Sequence, residues 1–268
     1  MLKRHFNGIV PSPQDARDYK FSDLVPLSAS SKLPKFYESP TTPFIYDQGT
    51  SNECAACAYN TIRYLQEMDA DNGGAGVTEP FSPSFNYANR IEGEEFEGMY
   101  LRSVCKKGKE GSIPYKVFPG FYTYHTCKAK FEEDKETFLK MAKPFAITSY
   151  YQCNDRSSVM RAIMETGGVI TGVWVYDSLY NPDENGYIPY DPKTDIENYG
   201  GHAITIVGWK WEGEKLFWRM QNSWGVNWGD MGRAWLPYEY PWVENAWAIV
   251  DINTKTKWEN YKRQFNLE

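Results

Sequence analysis

The chain has 268 residues, of which 41% are hydrophobic, so it is long and apolar enough to bury a substantial core. Its formal net charge of −6 argues against non-specific nucleic-acid binding, because neutralising phosphates requires clustered Lys and Arg. The opening residues MLKRHFNGIVPSPQD turn polar and proline-rich before a stretch of signal-peptide length develops, and no run is long enough to span a membrane. These features predict no nucleic-acid or membrane partner. They also predict a cytoplasmic protein, or one exported by a route that composition does not reveal.

Composition divides the chain into three predicted regions. Residues 1–43 are rich in proline and lack helical periodicity, which predicts an extended N-terminal arm laid along the body. Residues 44–135 are predicted to form a helical lobe, and residues 136–268 a β-rich lobe. The predicted helices, read from apolar spacing, caps and terminal glycines, are residues 52–68, Pro83 to Ile91 after the N-cap Ser82, a helix between Gly98 and Gly108, and Ser157 to Glu165 before Gly167 and Gly168.

The second half of the chain contains short β-branched and aromatic runs separated by Gly, Asn, Asp and Pro. These runs predict strands: VITGVWVY, HAITIVGW, LFWRMQ, RAWLP and AWAIVDI. Helices followed by strands, rather than alternating with them, indicate an α+β fold with an antiparallel sheet or barrel. Any active site is then expected in the groove between the two lobes.

A thiol and a histidine are the first candidates for chemistry. Cys54 stands at the start of the first predicted helix, where the helix dipole favours a thiolate. The sequence has three histidines from which to choose a general base. His5 lies in the predicted arm and His125 lies among tyrosines. His202 instead opens a strand-like run directly after two glycines, where a buried strand would fix the imidazole.

The segment MQNSWGVNWGDMG supplies a third candidate. Asn222 ends an apolar strand and is followed by Trp224 and Trp228, which are interleaved with glycines. A side-chain amide can accept the second N–H of a histidine and fix its tautomer without adding a buried charge. An adjacent indole can keep water away from that bond.

These motifs together resemble those of the papain-like cysteine peptidases. The run DQGTSNECAACAY matches the family's glutamine, glycine and nucleophile, FSPSFNY its next helix, GGHAITIVGW its histidine strand, and QNSWGVNWGDMGRAW its asparagine and tryptophan turn. His202 follows Cys54 by an interval typical of the family, whereas Asn222 lies somewhat beyond it. The arm sequence GIVPSPQDARDY resembles that of microbial and phage-type relatives more than an animal or plant pro-region.

The resemblance implies a two-lobed α+β peptidase that needs no metal or organic cofactor and binds a peptide or protein substrate between its lobes. It implies that Cys54 is the nucleophile, His202 the general base and Asn222 the residue that orients it. Gln48 would be the side-chain donor of the oxyanion hole, beside the main-chain N–H of Cys54. The expected substrate-binding residues are Gly98, Gly201, Ala203, Trp224 and Trp228.

The sequence also departs from the family pattern. Ala55 stands where the best-known members have Trp, Glu53 replaces a small neutral residue, and the usual glycine-rich wall motif with its cysteine is absent, with only Gly98 of EFEGMYLR near its place. Thr50 and Glu53 have the spacing of a capping box. This spacing predicts that the Glu53 carboxylate turns back to the main-chain N–H of Thr50, which would weaken its field at Cys54.

Other functions remain open from the sequence. Cys54 and Cys57 have the CxxC spacing of thiol–disulfide redox proteins, although no βαβ unit surrounds them. A degenerate peptidase could hold peptides without cutting them, and transpeptidation or deamidation would use the same acyl-enzyme. Five cysteines, an odd number in a long chain, argue against a dense disulfide framework. The sequence makes no prediction of oligomeric state.

Overall fold

The structure is a computed structural model that describes residues 6–24, 33–40, 44–69, 79–120 and 123–251. Within these residues it has eight α-helices and eight β-strands. The helices are α1 (Phe21–Leu24), α2 (Cys54–Asp69), α3 (Pro83–Ala88), α4 (Leu101–Gly108), α5 (Tyr124–Glu133), α6 (Lys135–Ala142), α7 (Arg156–Thr166) and α8 (Asp177–Tyr180). The strands are β1 (Phe6–Asn7), β2 (Phe36–Glu38), β3 (Ser149–Cys153), β4 (Val169–Trp174), β5 (Gly200–Glu212), β6 (Lys215–Gln221), β7 (Arg233–Pro237) and β8 (Trp242–Val250).

The helix ends follow the local sequence. The Ser82 hydroxyl accepts a hydrogen bond from the main-chain N–H of Phe85 at the start of α3, as the serine–proline pair predicts. Asp155 and Ser158 form a capping box at the start of α7. That helix ends at Gly167, whose φ of 83° is a left-handed conformation that glycine adopts without strain.

The sheet is antiparallel along the strand order β3-β8-β4-β5-β6-β7. Strand β5 is the longest, with 13 residues, and pairs with both β4 and β6. Two short strands from the N-terminal region also pair with it. Strand β1 runs parallel to β5 at Gly200 and Gly201, and β2 runs antiparallel to it from Gly208 to Lys210. The strand that carries His202 therefore pairs with four other strands, β1, β2, β4 and β6.

Two hydrophobic cores share β5. Ala203 and Val207 belong to the core around α2, whereas Ile204 and Ile206 belong to the core that contains the buried face of α7. The hydroxyl of Thr205 donates to the carbonyl of Ala58, 3.2 Å away, and ties α2 directly to β5. This packing holds the start of α2 against the start of β5, which is where the candidate site lies.

The α+β fold class is confirmed, and the five predicted strand runs correspond to β4 through β8. Strand β3 and helices α5 and α6 have no counterpart among the sequence predictions. No helix in the described part of the chain is long and apolar enough to cross a bilayer. The three-region division of the chain stays a prediction. His5 lies outside the described residues.

Candidate active site

Cys54 is the first residue of α2, and its side chain is fully buried. Main-chain N–H groups in the first turn of a helix lack intrahelical partners and concentrate positive charge there. The thiol lies within hydrogen-bonding reach of the main-chain N–H groups of Ala203, Ala55 and Cys54 itself, all of which lower its pKa. Because Ala203 follows His202 in β5, this contact brings the predicted nucleophile beside the predicted base.

The imidazole of His202 is buried and held by the turn that follows β6. Its Nε2 lies 2.7 Å from Oδ1 of Asn222, and the main-chain N–H of Ser223 donates to the same oxygen over 2.8 Å. The ring of Trp224 lies against the imidazole, with 4.9 Å between their centroids and an interplanar angle of 31°. The asparagine oxygen is thus positioned by the main chain, and the indole shields its contact with the histidine from water.

Gln48 lies in the loop before α2 and is tied to the same turn. Its Nε2 donates to the main-chain carbonyl of Ser51 over 2.8 Å, and its Oε1 accepts from the Ser223 hydroxyl over 2.5 Å. The main-chain N–H of Gln48 donates to the Ser223 carbonyl over 2.9 Å. Both bonds to Ser223 fix the loop on the helical side relative to the histidine and asparagine on the strand side.

Burial decides the charge states of the two candidate catalytic groups. Burial raises the pKa of Cys54 to about 11, outweighing the three N–H groups that lower it. Burial also lowers the pKa of His202 to about 4, outweighing the opposite effect of its hydrogen bond to Asn222. In this arrangement the proton stays on sulfur near neutral pH, and the pair is an uncharged thiol and imidazole.

The N-terminal region runs through the cleft and contributes to the burial of Cys54. We call residues 6–12 the cleft segment. The main-chain N–H of Ile9 donates to the Gly201 carbonyl over 3.3 Å, and the N–H of Met99 donates to the Gly8 carbonyl over 3.0 Å. A Cβ atom on Gly8 would lie 2.5 Å from the Cys54 sulfur, so only glycine fits this position. The cleft segment therefore contacts both walls and covers the candidate nucleophile.

Side chains anchor the cleft segment at its C-terminal end. Ser12 donates through its main-chain N–H and its hydroxyl to the Glu244 carboxylate, over 3.2 and 3.0 Å. Just beyond it, Arg102 of α4 pairs with Asp15 and Asp18, each over 2.6 Å. The ion pairs and hydrogen bonds of this clasp join the N-terminal region to both α4 and β8.

The side chain of Ile9 fills a recess beside β5 and is 1% exposed. The recess exists because of two glycines. A Cβ on Gly172 would lie 2.1 Å from Cδ1 of Ile9, and a Cβ on Gly201 would lie 2.3 Å from its carbonyl oxygen. The Ile9 side chain therefore fits beside the candidate nucleophile because Gly172 and Gly201 have no side chains, and not because an open pocket lies there.

The predicted substrate-binding residues fall into different positions. Gly201 contacts the cleft segment directly. Ala203 contacts the thiol, and Trp224 covers the imidazole. The carbonyl of Gly98 accepts from the Arg90 guanidinium over 2.8 Å, and it is the next residue, Met99, that bonds to the cleft segment. Their roles in binding substrate stay predictions.

Trp228 lies one layer behind Trp224. The two indoles meet edge to face, 5.7 Å apart, and the Trp228 N–H donates to the Leu179 carbonyl over 3.0 Å. Its side chain is buried. We therefore expect Trp228 to act by supporting Trp224, although it was predicted as a substrate-binding residue.

The predicted capping box of Thr50 and Glu53 is wrong. The Glu53 carboxylate does not reach back to Thr50. Its Oε2 accepts a hydrogen bond from the Ser84 hydroxyl of α3 over 2.8 Å, and its side chain is buried. The capping-box spacing failed because α2 begins at Cys54, which leaves Glu53 itself at the residue before the helix and turns its side chain into the interior.

Several residues of the site have no counterpart among the sequence predictions. These are Gly8, Ile9, Met99, Ser84 and Ser223, which cover the thiol, line the cleft or hold Glu53 and Gln48. One signal could have pointed to the first two. The run GIV is the single glycine-led β-branched run in an otherwise polar arm, a pattern that suits an extended segment lying on a strand.

All five cysteines are buried free thiols. No group of three or more His, Cys, Asp or Glu in the described ranges is placed to hold a metal ion. His125 is on the exposed side of α5. Among the described residues, the candidates for chemistry in the cleft are Cys54, His202, Asn222 and Gln48, and their catalytic roles stay predictions.

Comparison with known proteins identifies the family. The papain family cysteine protease profile matches residues 82–240. An uncharacterized peptidase C1-like protein of Acanthamoeba polyphaga mimivirus is 32% identical over 290 residues, covering 94% of this chain and 88% of that protein. A cathepsin B-like cysteine proteinase of Ostertagia ostertagi is 32% identical over 151 residues, covering 53% of this chain and 84% of that protein. A gut-specific cysteine proteinase of Caenorhabditis elegans is 31% identical, but the match covers 31% of its length.

Solved structures agree with this. Xylellain, a cysteine protease from Xylella fastidiosa, has a TM-score of 0.78 and 28% identity, covering 94% of this chain and 100% of that chain. A procathepsin B from Trypanosoma congolense has a TM-score of 0.69 at 15% identity, covering 92% and 87%, and supports the fold alone. The predicted papain-like fold and cysteine peptidase class are confirmed at the level of the family. This chain belongs to the papain family of cysteine proteases.

Proposed function

We propose that this chain hydrolyses peptide bonds through a thioester intermediate formed on Cys54. The observation that carries the proposal is the contact of 2.7 Å between His202 Nε2 and Asn222 Oδ1. His202 directly precedes Ala203, whose main-chain N–H lies within hydrogen-bonding reach of the thiol. This arrangement gives the imidazole one orientation and leaves its other nitrogen for the sulfur. The start of α2 adds the positive potential that a thiolate needs.

In the proposed reaction, His202 takes the proton of Cys54 and the thiolate attacks the carbonyl carbon of the scissile bond. The developing oxyanion accepts hydrogen bonds from the Cys54 N–H and from Gln48. One N–H of the Gln48 amide bonds to the Ser51 carbonyl, and the second N–H would serve the oxyanion. His202 then protonates the departing amine, which leaves the acyl group on sulfur as a thioester.

Hydrolysis completes the cycle. His202 takes a proton from water, the resulting hydroxide attacks the thioester carbon, and the thiolate leaves to be reprotonated as the acid product departs. An amine in place of water would give transpeptidation by the same steps. Asn222 holds the imidazole throughout without adding a charge, because its amide is neutral at all working pH values.

The cleft segment has to leave before a substrate can enter. It bonds to Gly201 and Met99 with its main chain, which supports an extended peptide as the natural class of ligand for this cleft. Its departure would admit water to Cys54 and His202, remove part of the desolvation that keeps them neutral, and favour the thiolate–imidazolium pair. We therefore propose a peptide or protein substrate and a latent form in which residues 6–12 block the cleft.

The test is digestion of a peptide library by the native chain, by Gly8→Ala, whose added Cβ displaces the cleft segment, and by Cys54→Ala. Cleavage by the native and Gly8→Ala chains that disappears with Cys54→Ala supports the proposal. Binding of library peptides without cleavage, even in the Gly8→Ala chain, contradicts it and favours a peptide-binding protein with a degenerate site. Ready formation of a Cys54–Cys57 disulfide without cleavage would favour the redox alternative.

A further inference from the structure

Glu53 is a buried carboxyl group that the proposed reaction does not use. It directly precedes Cys54, and its side chain is 6% exposed. Its Oε2 accepts from the Ser84 hydroxyl over 2.8 Å, and the Ser51 side chain also favours its charged form. Among the described residues, no Lys, Arg or His forms an ion pair with it. Its negative charge, when present, is therefore stabilised by hydroxyl groups and by the positive potential at the start of α2, without an ion-pair partner in the described part of the chain.

Around Glu53 the described groups are mostly neutral or acidic, and Arg90 is a cation that acts, as Glu53 does, on Tyr87 and Cys127. Glu53 lines a cavity of about 290 Å³ together with the exposed Asp47 and the buried Cys57. Its charge also reaches Tyr46, Tyr87 of α3 and Cys127 of α5. The pKa values of those three groups and of Cys57 are all raised by burial, so they stay neutral near pH 7.

Glu53 differs from these neighbours because it can change charge under working conditions. Burial raises its pKa from 4.5 to about 7, against the opposing effect of the Ser84 and Ser51 side chains. Cys54 is the one adjacent group that must become negative for the proposed reaction. Ionised Glu53 acts on it directly and raises the pKa of the thiol.

We propose that Glu53 and Cys54 form a coupled pair that carries at most one negative charge, with Glu53 as a positioning residue that sets when the thiolate can form. The inference rests on the proposed role of Cys54 as nucleophile. Two adjacent buried anions repel each other, and the His202 imidazolium that forms with the thiolate balances only one of them, so each ionisation opposes the other. The effect is reciprocal: a thiolate keeps the proton on Glu53, and a carboxylate at Glu53 keeps the proton on Cys54.

The pair makes the reactivity of Cys54 depend on pH in two stages. Below about pH 6 Glu53 is neutral and does not oppose the thiolate. As pH rises through the pKa of Glu53, its carboxyl group becomes negative, and the fraction of Cys54 present as thiolate increases less than it otherwise would. This arrangement favours reaction in neutral to mildly acidic solution, which a small neutral residue at the same position would not do.

The experiment measures the rate at which iodoacetamide alkylates Cys54 between pH 5.5 and 9, in the full chain and in Glu53→Gln, with peptide mass spectrometry to identify the modified cysteine. The ratio of the two rates cancels any opening of the cleft segment common to both proteins. We expect a ratio near one below pH 6 that rises to about tenfold above pH 8, for a coupling of about one pH unit. A ratio that stays near one over the whole range overturns the proposal.

Ser84→Ala is the matched variant, because it keeps the carboxylate and removes the hydroxyl that stabilises its charge. Glu53 then loses its proton at a higher pH, so Ser84→Ala should alkylate faster than the native chain near pH 7.5 and equally fast near pH 9. If Glu53→Gln does not fold, this profile decides alone, and a profile identical to the native one overturns the proposal. The alkylation rate can be measured without turnover, so the two proposals fail separately. A rising rate ratio without peptide cleavage supports the coupling and contradicts the proposed function. Peptide cleavage with a flat rate ratio supports the proposed function and contradicts the coupling.

Discussion

The two sides of the candidate active-site cleft differ in the side chains that surround the candidate catalytic groups. On the strand side, His202 is surrounded by the Asn222 amide and the Trp224 indole, which carry no charge at any working pH. On the helix side, Cys54 adjoins Glu53, a buried acid whose pKa lies near 7. Orientation and charge are therefore divided between the two walls: the strand side fixes the geometry of the imidazole, and the helix side holds the acid proposed to control when the thiolate forms.

The sharpest test of the strand side is removal of its histidine. His202→Ala should reduce turnover by at least about 100-fold, because it removes both the general base and the general acid. His125→Ala is the control, since that residue is exposed on α5 and should leave turnover nearly unchanged. Initial rates on a cleavable peptide measure both. A loss at His125 equal to that at His202 would mean that the base has been assigned to the wrong wall.

Gly8→Ala tests the cover over the helix side. The new Cβ would lie 2.5 Å from the Cys54 sulfur in the covered site, and overpacking of this kind costs about 1 to 3 kcal/mol. We expect the covered form to lose population and initial activity to rise about tenfold to a hundredfold. Val10→Ala is the matched control, because Val10 is exposed and its truncation creates no clash. Equal activities in the two variants would show that Gly8 does not cover the thiol in solution.

Asn222 offers a finer test of the strand side. Asn222→Ala should lower kcat by about tenfold to a hundredfold, less than His202→Ala, because orientation is part of the contribution of the base. Asn222→Asp retains an oxygen for the bonds to His202 and Ser223 but adds a negative charge. We expect it to raise the pKa of His202 and move the alkaline limb of the kcat profile to higher pH. An unchanged pH profile in Asn222→Asp would show that the charge of residue 222 does not affect the pKa of His202.

Glu53 should also affect stability, with a sign that can be worked out. Its pKa is about 7 in the folded chain and 4.5 in the reference state, so its contribution is fully present below about pH 4.5 and is lost as pH rises through 7. The loss approaches about 3 kcal/mol by pH 8. Glu53→Gln removes this dependence, so its unfolding free energy relative to the native chain should be higher at pH 8 than at pH 5.

Urea unfolding at the two pH values measures this difference. Glu133→Gln is the control, because the Glu133 side chain is 62% exposed and its substitution should not change the pH dependence. A native chain whose stability is the same at both pH values, after correction for the control, would show that Glu53 is not desolvated in solution.

Trp228→Phe should give the smallest effect. It removes the hydrogen bond to the Leu179 carbonyl and leaves most of the ring contact with Trp224. We expect a loss of about 1 kcal/mol in stability and an unchanged KM. A raised KM would instead support the sequence-based prediction that Trp228 contacts substrate.

Each predicted residue of the candidate site carries a local signal in the sequence. A helix start before Cys54, a glycine pair before His202 and a tryptophan-rich turn after Asn222 are all visible within a few residues. In the structure the main-chain N–H of Ala203 lies within hydrogen-bonding reach of the Cys54 thiol, and the Asn222 side chain contacts the His202 imidazole. The α+β class likewise followed from the segregation of helical and strand-like patterns.

Contacts between distant parts of the chain were missed because no local pattern encodes them. Gly8 and Cys54 are brought together by the path of the N-terminal region, and Glu53 meets Ser84 because α3 packs against the start of α2. The capping-box spacing was a valid local signal that lost to this tertiary contact. Met99, next to the predicted Gly98, is the residue that bonds to the cleft segment, and a one-residue shift in an irregular loop has no sequence signature.

The attachment of the cleft segment to the rest of the chain has a consequence for any kinetic assay. A segment joined by a short linker acts at an effective concentration of about millimolar, regardless of how dilute the protein is. A free peptide at micromolar concentration competes poorly against it, so its apparent affinity is reduced by the fraction of molecules that are open. A single cut between Ser12 and the buried Phe21 would turn this intramolecular competitor into a separate peptide. Activity should then rise on simple dilution, as the severed segment dissociates.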